Sequence, residues 1–227
     1  MGELLGALGL AWPRLLLYPG GLFALCASWL LARWLAWCAG RPAPPFSRPA
    51  LVDIIDVVPP LAVLALLPLT PAARFPYGID LLVALGLLEW PALRATMGHA
   101  PERNELARAY GPLVLAALAM AEGAGGMGLT GLLRWPTAWP LQALLLGGAG
   151  LWLWALPRVL AETPHGLAWR LRALGLLLVG SLPLVGALAA SANSLPVALA
   201  DWLIPPMVYL SLAFVLGGAL RVRRSRG

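Results

Sequence analysis

Two glutamates, Glu89 and Glu122, lie near the middle of apolar stretches of the 227-residue sequence and are the first candidates for chemistry. An ionised carboxylate is costly at bilayer depth and is kept there mainly where it faces a partner, water or the bundle interior. Burial raises the pKa of a carboxylic acid and favours its uncharged form, unless an arginine or water approaches it. A carboxylate that relays protons behaves in this way. The alternative is that each acid only hydrogen-bonds a neighbouring helix. If both relay protons, we expect Glu89→Gln and Glu122→Gln to reduce proton pumping.

Other charges lie between the apolar stretches. Acidic and basic residues alternate in residues 102–108, which form a predicted short helix. Solvated ion pairs explain this pattern, and such pairs contribute under about 1 kcal/mol each to stability. A docking surface for a soluble partner explains the same pattern. The charges concerned are Glu102, Arg103, Glu105 and Arg108. Arg158 and Glu162 have i, i+4 spacing, which favours local pairing, and Glu162 is a third proton-path candidate.

The stretch from Ala32 to Val58 carries the densest pattern of charge and proline. It leaves an apolar helix, turns through a proline-rich loop and re-enters apolar sequence. Its charged residues are Arg33, Arg41, Arg48, Asp53 and Asp56. We therefore treat this stretch as a candidate docking loop.

Composition predicts a polytopic membrane protein. The chain is 60% hydrophobic and 11% charged, with a mean hydropathy of +0.81, whereas soluble domains are roughly 45–50% apolar and 25% charged. All 16 basic residues are arginine, so a P-loop or a Schiff base to retinal is excluded for lack of a lysine amine. The net charge of +6 does not indicate nucleic-acid binding, because the arginines are scattered among apolar segments.

Metal and catalytic sites have little support. His99 and His165 fall in predicted loops, where they cannot face each other across a haem. Cys26 and Cys38 are about 18 Å apart along one predicted helix, too far for a disulfide. No G-x-S-x-G, H-E-x-x-H or CxxC motif occurs. We expect neither a metal ligand nor a catalytic residue in this chain.

The predicted fold is an all-α bundle of about seven transmembrane spans, forming one domain over residues 1–227. Each span needs about 20 mainly apolar residues. The segments are Leu15–Cys38, Ala50–Thr70, Asp80–Met97, Gly111–Leu133, Ala138–Leu156, Leu171–Ala190 and Leu199–Leu220. Pro59, Pro60 and Pro68 interrupt the second, and the glycine-rich run 123–131 predicts close packing or a bend in the fourth.

Loop arginines predict the orientation. Those that follow the odd-numbered spans are Arg33, Arg41, Arg48, Arg94, Arg103, Arg108, Arg158, Arg170, Arg172, Arg221, Arg223, Arg224 and Arg226. The opposite side holds only Arg14, Arg74 and Arg134. By the positive-inside rule, the N-terminus is outside and the C-terminus cytoplasmic.

The chain resembles the quinone-site membrane subunit of bacterial respiratory complex I, of the NADH dehydrogenase subunit 1 family, and the homologous anchor subunits of formate hydrogenlyase and energy-converting hydrogenases. That family follows its first helix with an arginine- and proline-rich loop and then an aspartate. The residues that carry the match are Arg33, Arg41, Pro42, Pro44, Pro45, Pro49 and Asp53. The segments YGIDLLVALGLLEWPAL, ERNELARAYGPLVLAALAMAEG and LPRVLAETP look like the family's third helix, its fourth helix and the loop after its fifth helix.

The chain departs from the family where the family's functional residues stand. Arg48 replaces a glutamine, Asp56 a lysine and Gly111 a glutamate, and the acidic cluster of the fifth-to-sixth loop is reduced to Glu162. In the family, the acidic residues at these positions are thought to line the quinone cavity and the proton entry path. The resemblance thus implies the architecture more strongly than the activity.

Taken with the resemblance, the sequence favours a membrane anchor in a bacterial cytoplasmic membrane, a non-catalytic subunit of an oxidoreductase complex rather than a stand-alone enzyme. Its partners would be other membrane subunits and a peripheral cytoplasmic module holding iron–sulfur clusters or nickel. The chain would hold no cofactor of its own, and whether it contributes to a quinone site is left open by the sequence. Docking or quinone-loop candidates are Arg33, Arg41, Arg48, Asp53, Asp56, Glu102, Arg103, Glu105, Arg108 and Arg158. The alternatives are a small transporter or channel subunit, or a purely structural subunit.

Overall fold

Seven α-helices and one short 3₁₀ turn make up the described part of the chain. The computed structural model describes residues 21–40, 51–68, 79–96, 103–160, 166–192 and 197–225. The helices are α1 Gly21–Ala39, α2 Leu51–Leu66, α3 Leu81–Thr96, α4 Arg103–Ala124, α5 Trp139–Leu160, α6 Leu167–Ser191 and α7 Val197–Ser225, and the 3₁₀ turn is Gly131–Leu133. These ranges contain no β-strand, so the all-α prediction is confirmed.

Three helical segments are long and apolar enough to cross a membrane: Trp139–Leu160, Leu167–Ser191 and Leu203–Val222. Phe23–Ala39, Ile54–Leu66 and Tyr110–Ala124 are apolar but shorter. A span through a typical bilayer takes about 20 residues, with longer or shorter stretches accommodated by tilt or local thinning. The three long segments suggest a membrane protein, whereas the number of passes remains a prediction.

Two helices differ from the segments predicted for them. The fourth was expected over Gly111–Leu133, but α4 ends at Ala124, where Gly125 adopts φ +71°. Only glycine takes this left-handed conformation without strain, so the predicted bend lies here. By contrast, α2 continues as a helix through Pro59 and Pro60, which were expected to interrupt it.

Helix α6 lies at the centre of the packing. It contacts α1, α2, α3, α5, α7 and the 3₁₀ turn. Its most apolar 18-residue window is 72% buried, against 22% for that of α7. Glycines permit this, since Gly175 faces the side chain of Leu88 and Gly180 faces Trp152. Small residues let helices approach closely where lipid supplies no hydrophobic drive between them.

Helices α4 and α5 form the second closely packed unit. A Cβ added at Gly148 would lie 2.8 Å from the backbone nitrogen of Met120 and 2.9 Å from the carbonyl oxygen of Ala116. One added at Gly123 would lie 2.6 Å from the backbone nitrogen of Leu145. Both contacts involve backbone, which cannot move aside as a flexible side chain can. The two helices can therefore pack this closely only with glycine at these positions.

Backbone hydrogen bonds and packing contacts define two ends of the bundle. At one end, Leu81 N donates to Met127 O at 2.7 Å and Leu129 N donates to Ile79 O at 3.2 Å, which joins the start of α3 to the turn after α4. At the other end, Gly217 near the end of α7 packs against Cys38 near the end of α1. The ion pair between Arg94 and Asp56 joins the end of α3 to the first half of α2 at this second end, called the charged end below.

The packing of Gly148 yields a direct test. Gly148→Ala should lower the free energy of unfolding by about 1–3 kcal/mol, because the added methyl meets the α4 backbone. Gly147→Ala is the matched control, since nothing lies within 4 Å of its added Cβ and the exchange should stabilise by about 0.5–1 kcal/mol. Unfolding midpoints of the full chain in detergent measure both. Equal midpoints would contradict the packing of α4 against α5.

Candidate functional site

Three polar side chains meet inside the bundle, each supplied by a different helix. Glu89 lies midway along α3, Tyr110 in α4 and Arg172 in the second turn of α6. Arg172 Nε and Nη2 donate to Glu89 Oε2 at 2.9 and 2.7 Å. The Tyr110 hydroxyl donates to the same oxygen, and Arg172 Nη2 lies 3.0 Å from the Tyr110 oxygen. We call these three residues the buried charge cluster.

The cluster is shielded from solvent. Arg172 is 1% exposed and Glu89 is 3% exposed, while Tyr110 is partly buried. Removing two charges from water costs several kcal/mol per ion, which their attraction offsets only with good geometry and further hydrogen bonds. The two Arg172 donors and the tyrosine hydroxyl meet that condition at Glu89 Oε2. Loss of either charge would leave the other buried and uncompensated.

The guanidinium of Arg172 has further contacts. Its Nη1 lies 3.5 Å from the carbonyl oxygen of Val159, and its central carbon lies 5.0 Å from the ring centroid of Trp169. A cation at that distance from an indole face is stabilised by the ring quadrupole. The arginine is therefore held in place from α3, α5 and α6 as well as by Tyr110 of α4.

The two carboxylate oxygens of Glu89 differ in their hydrogen bonding. Whereas Oε2 accepts from two residues, Oε1 is buried and has no hydrogen-bond partner among the described atoms. A buried carboxylate oxygen retains its lone pairs and its demand for a donor. This oxygen can accept a hydrogen bond, or a proton, from a group that reaches it.

A second, more exposed ion pair lies at the charged end. Arg94 Nη1 and Asp56 Oδ1 are 2.9 Å apart, and their side chains are 36% and 26% exposed. Pairs in such contact with solvent typically contribute about 0–1 kcal/mol. This pair joins α2 to α3 but is a minor stabilising term beside the buried one.

The other described candidates do not join the cluster. Glu122 was expected near the middle of a span, but it is exposed and lies in the last turn of α4. Arg33 is exposed on α1, with its guanidinium 4.8 Å from the ring centroid of Trp29. Arg158 is exposed in the last turn of α5, 3.9 Å from the ring centroid of Trp154. These three charges are therefore accessible from outside the helix packing.

Several predicted residues fall outside what the structure describes. Arg41, Arg48, Glu102 and Glu162 lie in undescribed segments. Asp53, Arg103, Glu105 and Arg108 belong to α2 or α4, but their side chains lie outside the described part. Their proposed roles in docking and proton transfer stay predictions.

Sequence reasoning found Glu89 but missed both of its partners. The sequence assigns Arg170 and Arg172 to a loop, and the loop assignment is wrong for both, because α6 begins at Leu167 and buries Arg170 as well as Arg172. The position of Arg172 one residue inside the predicted sixth span was a signal, since an arginine there needs a partner. Tyr110 immediately precedes the predicted fourth span, and its type and position gave no comparable signal.

Comparisons with known proteins identify no relative: no family model, curated protein or solved structure matches the chain. Within the described residues, no three His, Cys, Asp or Glu side chains come together as a metal site would require. The chemistry available to the cluster is thus that of a carboxylate, a guanidinium and a phenol.

Breaking the buried pair should be costly. Arg172→Gln should lower the free energy of unfolding by about 3–5 kcal/mol, because Glu89 is left as a buried, uncompensated charge. The double variant Glu89→Leu/Arg172→Met should recover most of this loss, since it removes both charges. Arg94→Gln is the control, with an expected loss of no more than about 1 kcal/mol. Denaturant unfolding in detergent would contradict this if Arg172→Gln and Arg94→Gln gave equal losses.

Proposed function

We propose that the chain is a membrane anchor subunit of a complex-I-like or membrane-bound hydrogenase-like redox assembly. In this proposal it crosses a bacterial cytoplasmic membrane seven times, with its N-terminus outside and its C-terminus inside. Its charged end holds a peripheral electron-transfer module. The redox reaction belongs to that module, whose iron–sulfur clusters or nickel lie outside this chain.

The observation that carries the proposal is the buried charge cluster inside an otherwise apolar helical bundle. Apolar replacements for a buried ion pair are often neutral or stabilising, so fold stability alone gives weak reason to keep one. Charges inside membrane helices commonly belong to proton relays or ion pathways. Glu89 combines two such properties, a fixed cationic partner and an oxygen free to accept a proton.

The distribution of arginine supports the orientation. Arg94, Arg158 and Arg221 lie near the C-terminal ends of α3, α5 and α7, while Arg134 follows the 3₁₀ turn near the opposite end. By the positive-inside rule, this distribution supports a cytoplasmic location for the charged end. A cytoplasmic partner would meet exposed guanidinium groups such as that of Arg158 there.

The motif around Arg33–Asp53 supports the choice of assembly. The family that the chain resembles has the same arginine- and proline-rich pattern after its first helix and forms the quinone-site subunit of its assembly. By that analogy, Arg33, Arg41, Arg48, Asp53 and Asp56 would contact the module or a quinone, and Glu102, Arg103, Glu105, Arg108 and Arg158 would complete the docking surface. A proton route, if retained, would use Glu89 together with Glu122 and Glu162.

Purification of the tagged chain from its native membrane tests the assembly. Iron–sulfur proteins should co-purify in stoichiometric amounts, and Arg158→Glu should reduce their recovery at least roughly fivefold by opposing an acidic docking surface. Arg134→Glu, at the opposite end, is the matched control and should leave recovery unchanged. Stand-alone substrate flux by the reconstituted chain would instead favour a transporter, and neither result would favour a purely structural subunit.

Proton translocation by the intact assembly tests the role of Glu89. Glu89→Gln keeps the size and one acceptor oxygen of the side chain but cannot carry a proton, so it should lower pumping per assembled complex. Because it also leaves Arg172 without its counter-charge, the amount of folded complex should fall as well, and pumping is normalised to that amount. Glu122→Gln should have a smaller effect, because an exposed acid at a helix end can be bypassed by water. Vesicle acidification with a pH-sensitive dye measures both. Unchanged pumping in both variants would leave these acids with structural roles only.

A further inference from the structure

Helices α1 and α7 meet in a seam rich in aromatic residues near the charged end. Trp34 Nε1 donates to the carbonyl oxygen of Ala213 at 3.0 Å, and the Trp34 ring lies edge-on to Phe214 with a centroid separation of 4.7 Å. Gly217 packs against Trp34 and Cys38. These contacts hold the two helices side by side.

The outer surface of this seam is apolar and exposed. Leu30 and Trp37 of α1 and Leu210 and Phe214 of α7 are each 61–62% exposed. Helix α7 as a whole is the least buried of the three long apolar segments. Because the seam is apolar along its length, its natural surroundings are hydrocarbon.

Two guanidinium groups interrupt this apolar surface. Trp29, Arg33 and Trp37 recur every four residues and so follow one stripe of α1. The central carbon of Arg33 lies 4.8 Å from the Trp29 ring centroid, and that of Arg221 lies 5.8 Å from the Trp37 ring centroid. The two cations therefore approach the same aromatic stripe from different helices.

Neither arginine has an acidic partner in the part of the chain that the structure describes. Among the described side chains, the ion pairs join Arg94 to Asp56 and Arg172 to Glu89, and no acid lies within ion-pair distance of Arg33 or Arg221. A charge on a membrane-facing helix requires a counter-ion or contact with the interface. The seam thus combines an apolar surface with two cations that no described acid neutralises.

We propose that this seam binds one anionic phospholipid. The headgroup phosphate interacts with Arg221 beside Trp37, Arg33 adds positive charge one turn along the same stripe, and the acyl chains lie over Leu210 and Phe214. Guanidinium groups form strong charge-assisted hydrogen bonds to phosphate, and basic pockets between membrane helices on the cytoplasmic side bind anionic headgroups. A soluble acidic protein could neutralise the arginines but could not occupy the hydrocarbon surface. The proposal rests on membrane insertion and not on the redox partner.

Native mass spectrometry of the full chain released from lipid nanodiscs tests this site. Nanodiscs of phosphatidylcholine with a minor fraction of phosphatidylglycerol should yield one retained phosphatidylglycerol per chain, and pure phosphatidylcholine nanodiscs should yield none. At about 1 kcal/mol per arginine, Arg33→Gln/Arg221→Gln should weaken retention roughly 25- to 30-fold, and Arg221→Gln alone roughly fivefold.

Arg158→Gln is the matched control. It removes an exposed guanidinium that likewise stacks on a tryptophan at the charged end, but away from the seam, so retention should not change. Equal retention by the Arg33→Gln/Arg221→Gln variant, equal retention of phosphatidylcholine, or an equal loss in Arg158→Gln would each overturn the site. The variants' unfolding midpoints in pure phosphatidylcholine should match that of the parent chain, and a lower midpoint would assign the arginines to the fold instead. A chain that fails this test but still co-purifies with iron–sulfur proteins would refute the lipid site alone.

Discussion

The ion pair between Glu89 and Arg172 constrains how the helices of this protein can be arranged. It requires α3 and α6 to face each other at one level, and the Tyr110 hydroxyl adds α4 to the same point. In an apolar bundle, where hydrophobic burial discriminates poorly between registers, one satisfied pair of opposite charges favours a single register over its neighbours. Any helical shift large enough to separate the pair exposes two charges to hydrocarbon.

The packing around that pair follows from side-chain size rather than from hydrophobicity. Helix α6 contacts five other helices because Gly175 and Gly180 leave room for Leu88 and Trp152, and Trp152 Nε1 is satisfied by the carbonyl oxygen of Leu176 at 2.8 Å. Dispersion and close contact, rather than expulsion of water, would hold such a bundle together in lipid. The least buried long helix, α7, is correspondingly available to lipid or another subunit.

Charge in this protein is divided by depth. Among the described residues, the buried Glu89 and Arg172 pair with each other and the buried Arg170 donates to the carbonyl oxygen of Gly166, whereas the exposed Arg158 and Arg221 lie against tryptophan rings. Exposed guanidinium groups at a membrane interface can bind lipid phosphates or acidic proteins. The buried carboxylate can interact only with a group, a water molecule or a proton that reaches it through the bundle. A membrane anchor with a proton-accepting interior would need both kinds of charge.

Sequence alone determined the helical class, the approximate position of seven helices and the burial of Glu89, because hydropathy and an acid in an apolar run are local properties. The bend after α4 was also readable, since glycine is needed where φ is positive. What only the tertiary structure decided was which residues meet: Arg172 and Tyr110 lie 83 and 21 residues from Glu89, and helical periodicity carries no information across such separations. Burial of Arg172 and exposure of Glu122 likewise depend on which face each helix turns toward its neighbours, and that choice is made by packing.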